Sequence, residues 1–451
     1  MDPAQLPLPP SEAGRTPTSS PEPVAPPGQR KEWTYYDVTP PEVSPEEAGT
    51  PNSSPGDIHP SPYVAVIGVG YVGEHLVDVF SRRYAVIGFD VSEQRIKTLG
   101  PKYARIKQVK LTANQSRLKH ATHFLISVPT LLLPDKTVDT SYLRSALDIV
   151  AKYAARGSTV VFESSVAVGM TRELLGPLAK KYGWFAGMSP ERVDPGRTEP
   201  AAHQIPKIIS GLDDVVAGSL AAIHQLYGPA FNIVVPVSMP EVAELTKLFE
   251  NCQRMICIGF VNEMANACKP FGIDPYEVCA AAATKPFGYM PYTPGLGVGG
   301  HCIPVNPYYL LSTSEFPLLK AATEAMYARP AQIGQSIIDS LCAGRDASAG
   351  QPRVLVVGMG FKRGQSHLVN SPGLELAKSL VLSEKVAVSF ADPLVTQEAV
   401  PQIARLDEVN WTVEFLEQNF DMIVVAFKQD GLDFDVLDKL NDSVKVQMWC
   451  A

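Results

Sequence analysis

Tyr63-Val64-Ala65-Val66-Ile67-Gly68-Val69-Gly70-Tyr71-Val72-Gly73 is a short apolar strand running straight into glycine-x-glycine-x-x-glycine. Helical spacing follows to about Ser81, and a second strand runs from Tyr84 to Asp90. Each glycine has its own task in such a turn. Gly68 permits the tight bend, Gly70 lets a pyrophosphate approach the backbone, and Gly73 allows the helix to pack closely on the strand. Asp90 ends the second strand where a carboxylate accepts hydrogen bonds from an adenosine ribose and repels a 2'-phosphate. Glycines alone are a weak signal. Strand, loop, helix, strand and acidic end together predict a dinucleotide-binding unit that prefers NAD to NADP. Arg95, one turn further on, has two open readings: it lies along the adenine side, or it is an ordinary solvated helix arginine.

Working outward, His123 to Val128 and Thr159 to Glu163 are further apolar strands. Strands alternating with helical stretches predict a mostly parallel sheet covered on both faces, over residues 61–236. Ahead of it, residues 1–60 hold 15 prolines among Ser, Gly and Glu. That composition buries too little surface to offset chain entropy and predicts a disordered tail. Its patch Lys31 to Tyr36 either packs on a surface or stays exposed. Residues 237–343 read as a central helical domain, with a long helix from Pro240 to Ala267, a second after Asp274 and more helix from Phe316 to Leu341. Residues 286–307 form a loop rich in Gly, Pro and aromatics. After a linker, Arg353 to Gly360 begins a second unit within 344–451, with strands at Ala387 to Phe390 and Met422 to Ala426. It carries only Gly358-x-Gly360, without a third glycine at the usual offset. The fold class is therefore α/β, with two Rossmann-like doubly wound domains joined by a helical domain.

A chain of 451 residues suits two or three domains. Its formal net charge of -8 makes nucleic acid a poor partner, while local positive groups and helix N-termini still suit an anionic metabolite. The seven cysteines show no CxxC spacing and their number is odd. A zinc site and a disulfide-stapled fold are not expected. A reducing, cytoplasmic setting is. No apolar run reaches membrane-spanning length and the N-terminus lacks a signal-peptide core, so no membrane partner is expected.

The stretch richest in chemistry is Gly299-Gly300-His301-Cys302-Ile303-Pro304-Val305-Asn306-Pro307. Two glycines before a cysteine let the backbone come close to a ligand. Cys302 reads either as a nucleophile, its thiolate favoured by positive neighbours, or as an inert buried thiol. Beside NAD, a nucleophilic cysteine suits one reaction class. An alcohol is oxidised to an aldehyde, trapped as a thiohemiacetal, oxidised again to a thioester and released by water as the acid.

From Tyr63 almost to its end the chain resembles the UDP-glucose/GDP-mannose dehydrogenase family. The matching stretches are the glycine loop, Ser127-Val128-Pro129-Thr130, Glu163-Ser164-Ser165-Val166, Ser189-Pro190-Glu191-Arg192, Glu244-Leu245-Thr246-Lys247-Leu248 with Asn251, Lys285 to Pro291, and Pro294 to Pro304. The His-Cys-Ile-Pro and Ser-Pro-Glu-Arg wording is closest to the UDP-N-acetylhexosamine branch. The resemblance implies that Cys302 is the nucleophile and that Lys247 stabilises the oxyanion and assists proton movement. Asn251, one turn on and on the same face, donates to the same oxygen. Glu191 acts in thioester hydrolysis, and Thr130 helps hold the water. Besides the loop residues Gly68 to Gly73, Asp90 and Arg95, the cofactor meets Pro129, Thr130, Glu163 and Ser165, the last two on the nicotinamide side. Arg192, Lys247, Tyr289, Tyr292, Gly299, Phe361 and Lys362 bind the substrate. The second α/β unit takes its nucleotide part, and the central helices form a homodimer. No metal is implied. The expected function is four-electron oxidation at C6 of UDP-N-acetylglucosamine or UDP-N-acetylmannosamine to the uronic acid, a reaction of polysaccharide biosynthesis. UDP-glucose and GDP-mannose are alternative substrates.

Several positions depart from the family pattern. Asn306 stands where an aspartate holds the water; the amide keeps the shape and loses the charge. Gly364, Ser366 and His367 replace an asparagine and two acids, and Val369 replaces an arginine, with Arg363 the candidate to compensate. Ala322-Thr323-Glu324-Ala325-Met326-Tyr327 lacks the usual arginine and asparagine, leaving Met326 and Tyr327 to pack. The sequence stops at Trp449-Cys450-Ala451, before a usual Asp-x-Arg element. These changes support a rival reading, a catalytically impaired homologue that binds NAD or a nucleotide sugar in a regulatory or scaffold role.

Overall fold

A computed structural model describes residues 62–194, 196–197, 199–345 and 350–450. The proline-rich tail and its Lys31 to Tyr36 patch lie outside the described residues.

The first sheet has eight strands. In chain order they are β1 (Tyr63–Ile67), β2 (Ala85–Phe89), β3 (Val109–Thr112), β4 (His123–Ile126), β7 (Thr159–Phe162), β8 (Phe185–Met188), β9 (Lys207–Gly211) and β10 (Val234–Pro236); β5 (Leu131–Leu132) and β6 (Val138–Asp139) form a separate small ribbon. The spatial order is β10-β9-β8-β7-β4-β1-β2-β3. Neighbours run parallel except β8 and β9, which are antiparallel. Side chains alternate across each strand. Ala65 and Ile67 of β1 therefore face a core built with Leu143, Leu147, Leu174 and Leu175. Val64 and Val66 face the opposite core with Leu76, Phe80, Ile223 and Tyr227. Both faces are covered, which is why these strands read as unbroken apolar runs.

The helices of this unit are α1 (Tyr71–Phe80), α2 (Glu93–Tyr103), α3 (Ser141–Tyr153), α4 (Met170–Tyr182) and α5 (Ser219–Tyr227). From β10 the chain enters α6 (Pro240–Cys268), 29 residues long, with proline at its first position, where the missing N–H costs nothing. α7 (Pro275–Ala283) is capped by Asp274, whose carboxylate accepts from the Tyr276 N–H at 2.9 Å. The short α8 (Asn306–Leu311) and the long α9 (Pro317–Cys342) pack on α6, where Cys252, Met255, Leu310, Leu319 and Met326 share a core.

The second sheet, β13-β12-β11-β14-β15, is wholly parallel. Its strands are β11 (Arg353–Val357), β12 (Ala387–Ala391), β13 (Ala404–Arg405), β14 (Met422–Val425) and β15 (Lys445–Met448), with α10 (Pro372–Leu382) and α11 (Val413–Asn419) on its faces. Its third glycine is displaced, not lost. A Cβ on Gly373, in the first turn of α10, would lie 2.2 Å from the Gly358 carbonyl oxygen. Gly73 stands likewise to Gly68, at 1.9 Å. The loop 361–371 is inserted between turn and helix, so spacing alone could not reveal the equivalence. Asp392, after β12, accepts from the Met359 N–H at 2.8 Å, as Asp90 accepts from Val69 at 3.0 Å. The two units are thus built on one plan.

Candidate active site

β1 lies between β2 and β4, so connections from its end diverge and leave a crevice at the switch point. The glycine loop fills that position. Gly68 has φ +88, and a Cβ there would meet the Ser127 carbonyl oxygen at 2.8 Å. A Cβ on Gly70 would meet nothing within 4 Å, leaving open space before the uncapped N-terminus of α1, the place where helix N–H groups receive an anion. Asp90 is half-buried and accepts from Val69 and, at 2.9 Å, from Ser92. The residues present therefore fit a dinucleotide. Val69 is fully buried and packs, and Val72 is half-buried. Tyr71 is exposed and donates to the Asp194 carbonyl at 3.0 Å. Arg95 is half-buried beside the loop. It donates to the Val69 carbonyl at 2.8 Å and pairs with Glu74 at 2.7 Å, bracing the loop. Pro129 is exposed, while Thr130 and Ser165 are half-buried. Gly73→Ala is expected to cost about 3 kcal/mol of stability, with loss of NAD binding, because its Cβ collides with backbone. An unchanged thermal melt would contradict that packing.

Behind the crevice lies a buried charge cluster. Lys207 Nζ sits 2.6 Å from Glu163 Oε2 and 3.0 Å from Glu191 Oε2. Tyr227 donates to the other oxygen of Glu163, and the N–H groups of Arg192 and Val193 donate to Glu191 Oε1 at 2.7 and 3.0 Å. Burial pushes the Glu163 carboxyl up to about 7 against the pull of Lys207. Burial also opposes charge on Glu191, but Lys207 and the loop N–H groups outweigh it and hold its carboxyl below the usual range. Lys207 is raised, since its two carboxylates outweigh burial. Glu163, expected along the nicotinamide, has its carboxylate wholly within this cluster and only 1% exposed as a residue. Lys207 and Tyr227 escaped the sequence reading. The one available signal was a lone lysine heading the apolar strand Ile208-Ile209.

α6 carries Lys247, Asn251 and Arg254 at helical spacing along one face. Asn251 Nδ2 donates to Asn306 Oδ1, and Arg254 donates to Asn251 Oδ1. The Asn306 N–H returns to the Cys302 carbonyl at 2.9 Å. Cys302 is free and exposed at the end of the loop. Lys247 is only 6% exposed. Burial lowers its pKa, partly offset by Cys302, Glu191 and Glu250 nearby. Cys302 and Glu191 thus lie near the Lys247 ammonium, with Asn251 one turn along α6 and bonded to Asn306 of α8. Arg254 joins them without having been anticipated.

The second unit fixes the cysteine loop. The Gly300 N–H donates to the Val369 carbonyl, and Asn370 Nδ2 donates to the Gly300 carbonyl, both at 3.0 Å. Gly300 has φ +92, and a Cβ there would strike the Phe361 ring at 2.9 Å; one on Gly299 would strike Pro372 at 2.9 Å. Lys362 reaches Asp194 at 3.2 Å. Arg363 pairs with Asp430 at 2.8 Å on the surface, and Val369 itself is exposed. Arg192 is held by Glu250 at 2.6 Å and the Pro206 carbonyl at 3.1 Å. Tyr292 lies near Arg254 and Cys257, whereas Tyr289 lies against Cys279 of α7. Met326 is buried, and Tyr327 donates to the Pro304 carbonyl at 3.1 Å. Among the described residues no group of three or more His, Cys, Asp or Glu could hold a metal, and no helix is long and apolar enough to cross a membrane.

Residues 63–231 match the NAD binding domain of the UDP-glucose/GDP-mannose dehydrogenase family, and residues 241–325 match its central domain. The chain is 32% identical over 363 residues to UDP-N-acetyl-D-glucosamine 6-dehydrogenase of Pseudomonas aeruginosa, covering 74% of this chain and 83% of that protein. It is 31% identical over 356 residues to UDP-N-acetyl-D-mannosamine dehydrogenase of Pyrococcus horikoshii, covering 74% and 84%. The solved structure of UDP-D-ManNAc dehydrogenase from Pyrococcus horikoshii superposes with a TM-score of 0.74 at 26% identity, covering 86% of this chain and 94% of that one. Glycine loop, central helices and sequence agree: the chain belongs to the UDP-glucose/GDP-mannose dehydrogenase family of NAD-dependent nucleotide-sugar oxidoreductases.

Proposed function

We propose that the protein oxidises a UDP-N-acetylhexosamine at C6 to the uronic acid through covalent intermediates on Cys302. The observation that carries this reading is the buried Lys247 beside the exposed Cys302 thiol, with Asn251 one turn away. Residues 61–236 bind NAD, with Gly68 to Gly73 under the pyrophosphate and Asp90 at the ribose. Residues 344–451, with Phe361 and Lys362, take the nucleotide. When bound, NAD accepts a hydride in each of the two oxidations.

Lys247, its pKa lowered by burial, takes the C6 hydroxyl proton. The Cys302 sulfur then adds to the aldehyde carbon. The resulting oxygen anion is held by the Lys247 ammonium and by the Asn251 N–H not given to Asn306. After the second oxidation the product is a thioester, and water brought by Thr130 releases it with help from Glu191. Two further parts of the reading have their own support. Val242, Leu245, Phe249 and Phe260 lie on one stripe of α6 and are exposed, which suits a homodimer through the central helices. All seven cysteines are free, which suits the cytoplasm.

The test is NADH formation by the full chain with UDP-N-acetylglucosamine, UDP-N-acetylmannosamine, UDP-glucose and GDP-mannose. Two NADH per UDP-N-acetylhexosamine is expected. No NADH with any of the four, from folded protein that binds NAD, overturns it. The rival reading of an impaired homologue draws on Asn306, whose amide takes no proton. Asn306→Asp is expected to raise steady-state turnover by about 100-fold where hydrolysis limits; an unchanged rate places the limit elsewhere.

A further inference from the structure

Tyr309 lies three residues after Asn306 on α8, close to the same face. It is fully buried, packed with Ala167, Leu248 and Val305. Its buried hydroxyl faces Thr130 and lies within electrostatic reach of Cys302, and it has no well-formed hydrogen bond to any group among the described residues. Most buried side-chain polar atoms have partners, and a bound water or a catalytic role is among the explanations for an exception. Asn306 leaves a matching deficit, because its side-chain oxygen is engaged by Asn251 and position 306 offers no carboxylate to grip a water.

We propose that the Tyr309 hydroxyl, together with Thr130, holds the water that attacks the Cys302 thioester. This rests on the thioester reading above. The Tyr309 O–H donates to the water oxygen and Thr130 Oγ1 accepts one water hydrogen. The water oxygen attacks the acyl carbon. The C–S bond breaks with its electron pair going to the Cys302 sulfur, the other water proton passes to the Glu191 carboxylate, and the acid product ionises to solvent. Burial pushes the Tyr309 hydroxyl up to about 12, so it stays protonated and acts as a donor, not a base.

The experiment compares the parent with Tyr309→Phe, which removes one buried oxygen and leaves the ring's packing in place. The first-turnover burst of NADH is expected to stay within about twofold, while steady-state turnover falls about 100-fold. Intact mass should show the sugar acyl group accumulating on Cys302. Hydroxylamine, which attacks thioesters directly, should restore turnover. Tyr309→Met, which fills similar space without a hydroxyl, should reproduce the pattern and serves if Tyr309→Phe does not fold. Loss of burst and steady state together, or turnover equal to the parent, overturns the assignment. A parent that forms no NADH overturns the reading beneath it as well.

Discussion

Cys302→Ala is expected to reduce uronic acid formation by about 10,000-fold or more, the scale seen when a covalent nucleophile is removed. Alanine lacks the sulfur that traps the aldehyde, so neither thiohemiacetal nor thioester can form. Lys247 and Asn251 remain, but they stabilise an oxygen anion that the variant no longer generates by addition. The side chain is exposed, so little packing is lost and stability should change by no more than about 0.5 kcal/mol. NAD affinity should hold, because Gly68 to Gly73 lie on a different element. NADH release and product mass after incubation with UDP-N-acetylglucosamine check this directly. An alanine variant keeping a tenth of parental product formation would remove Cys302 from the mechanism.

Lys207→Met is expected to cost 3–5 kcal/mol, about the range for breaking a buried ion pair by removing one partner. Methionine fills similar space but leaves Glu163 and Glu191 buried together without the ammonium, at 1% and 8% exposure. In the parent, Glu163 is raised from 4.5 to about 7. The folded state then holds more protons than the unfolded one between those values, and this group's contribution to stability falls as pH rises through that window. Glu191 is lowered, so its contribution is present at neutral pH and lost on acidification. Without Lys207 both carboxyls are pushed up. The variant's deficit should be full at and above neutrality and shrink as pH falls toward the unfolded carboxylate range. Urea melts at several pH values measure it. A parental midpoint at pH 7, or a deficit that grows on acidification, would contradict the cluster.

Much of the molecule was legible in its sequence. The run from Tyr63 to Gly73 has one apolar strand and three glycines at the spacing that a strand–turn–helix demands, and the structure places a backbone oxygen 1.9 Å from where a Gly73 Cβ would stand. α6 was legible over nearly its whole length, because its apolar period is long and begins at a proline. Gly299 and Gly300 announced a closely packed loop, and a Cβ on either would strike Pro372 or Phe361 at 2.9 Å. Short strands were less legible. Lys207–Gly211 mixes a lysine, a serine and a glycine with two isoleucines, and Lys445–Met448 is a polar strand at the edge of its sheet.

By itself, then, the sequence determined the local units: the glycine turn, the long helix, the cysteine loop and the family to which they belong. These are set by contacts between residues close in the chain, or by backbone constraints that only glycine and proline satisfy. Only the tertiary structure decided which distant residues share a site. β9 runs antiparallel to β8, with Met188 opposite Ser210. That reversal brings Lys207, at the start of β9, beside Glu191, just past the end of β8, and beside Glu163, just past the end of β7. The packing of α8 in turn hides Tyr309 next to Thr130. No spacing encodes such neighbours, because they arise from the direction of one strand and the burial of one helix face.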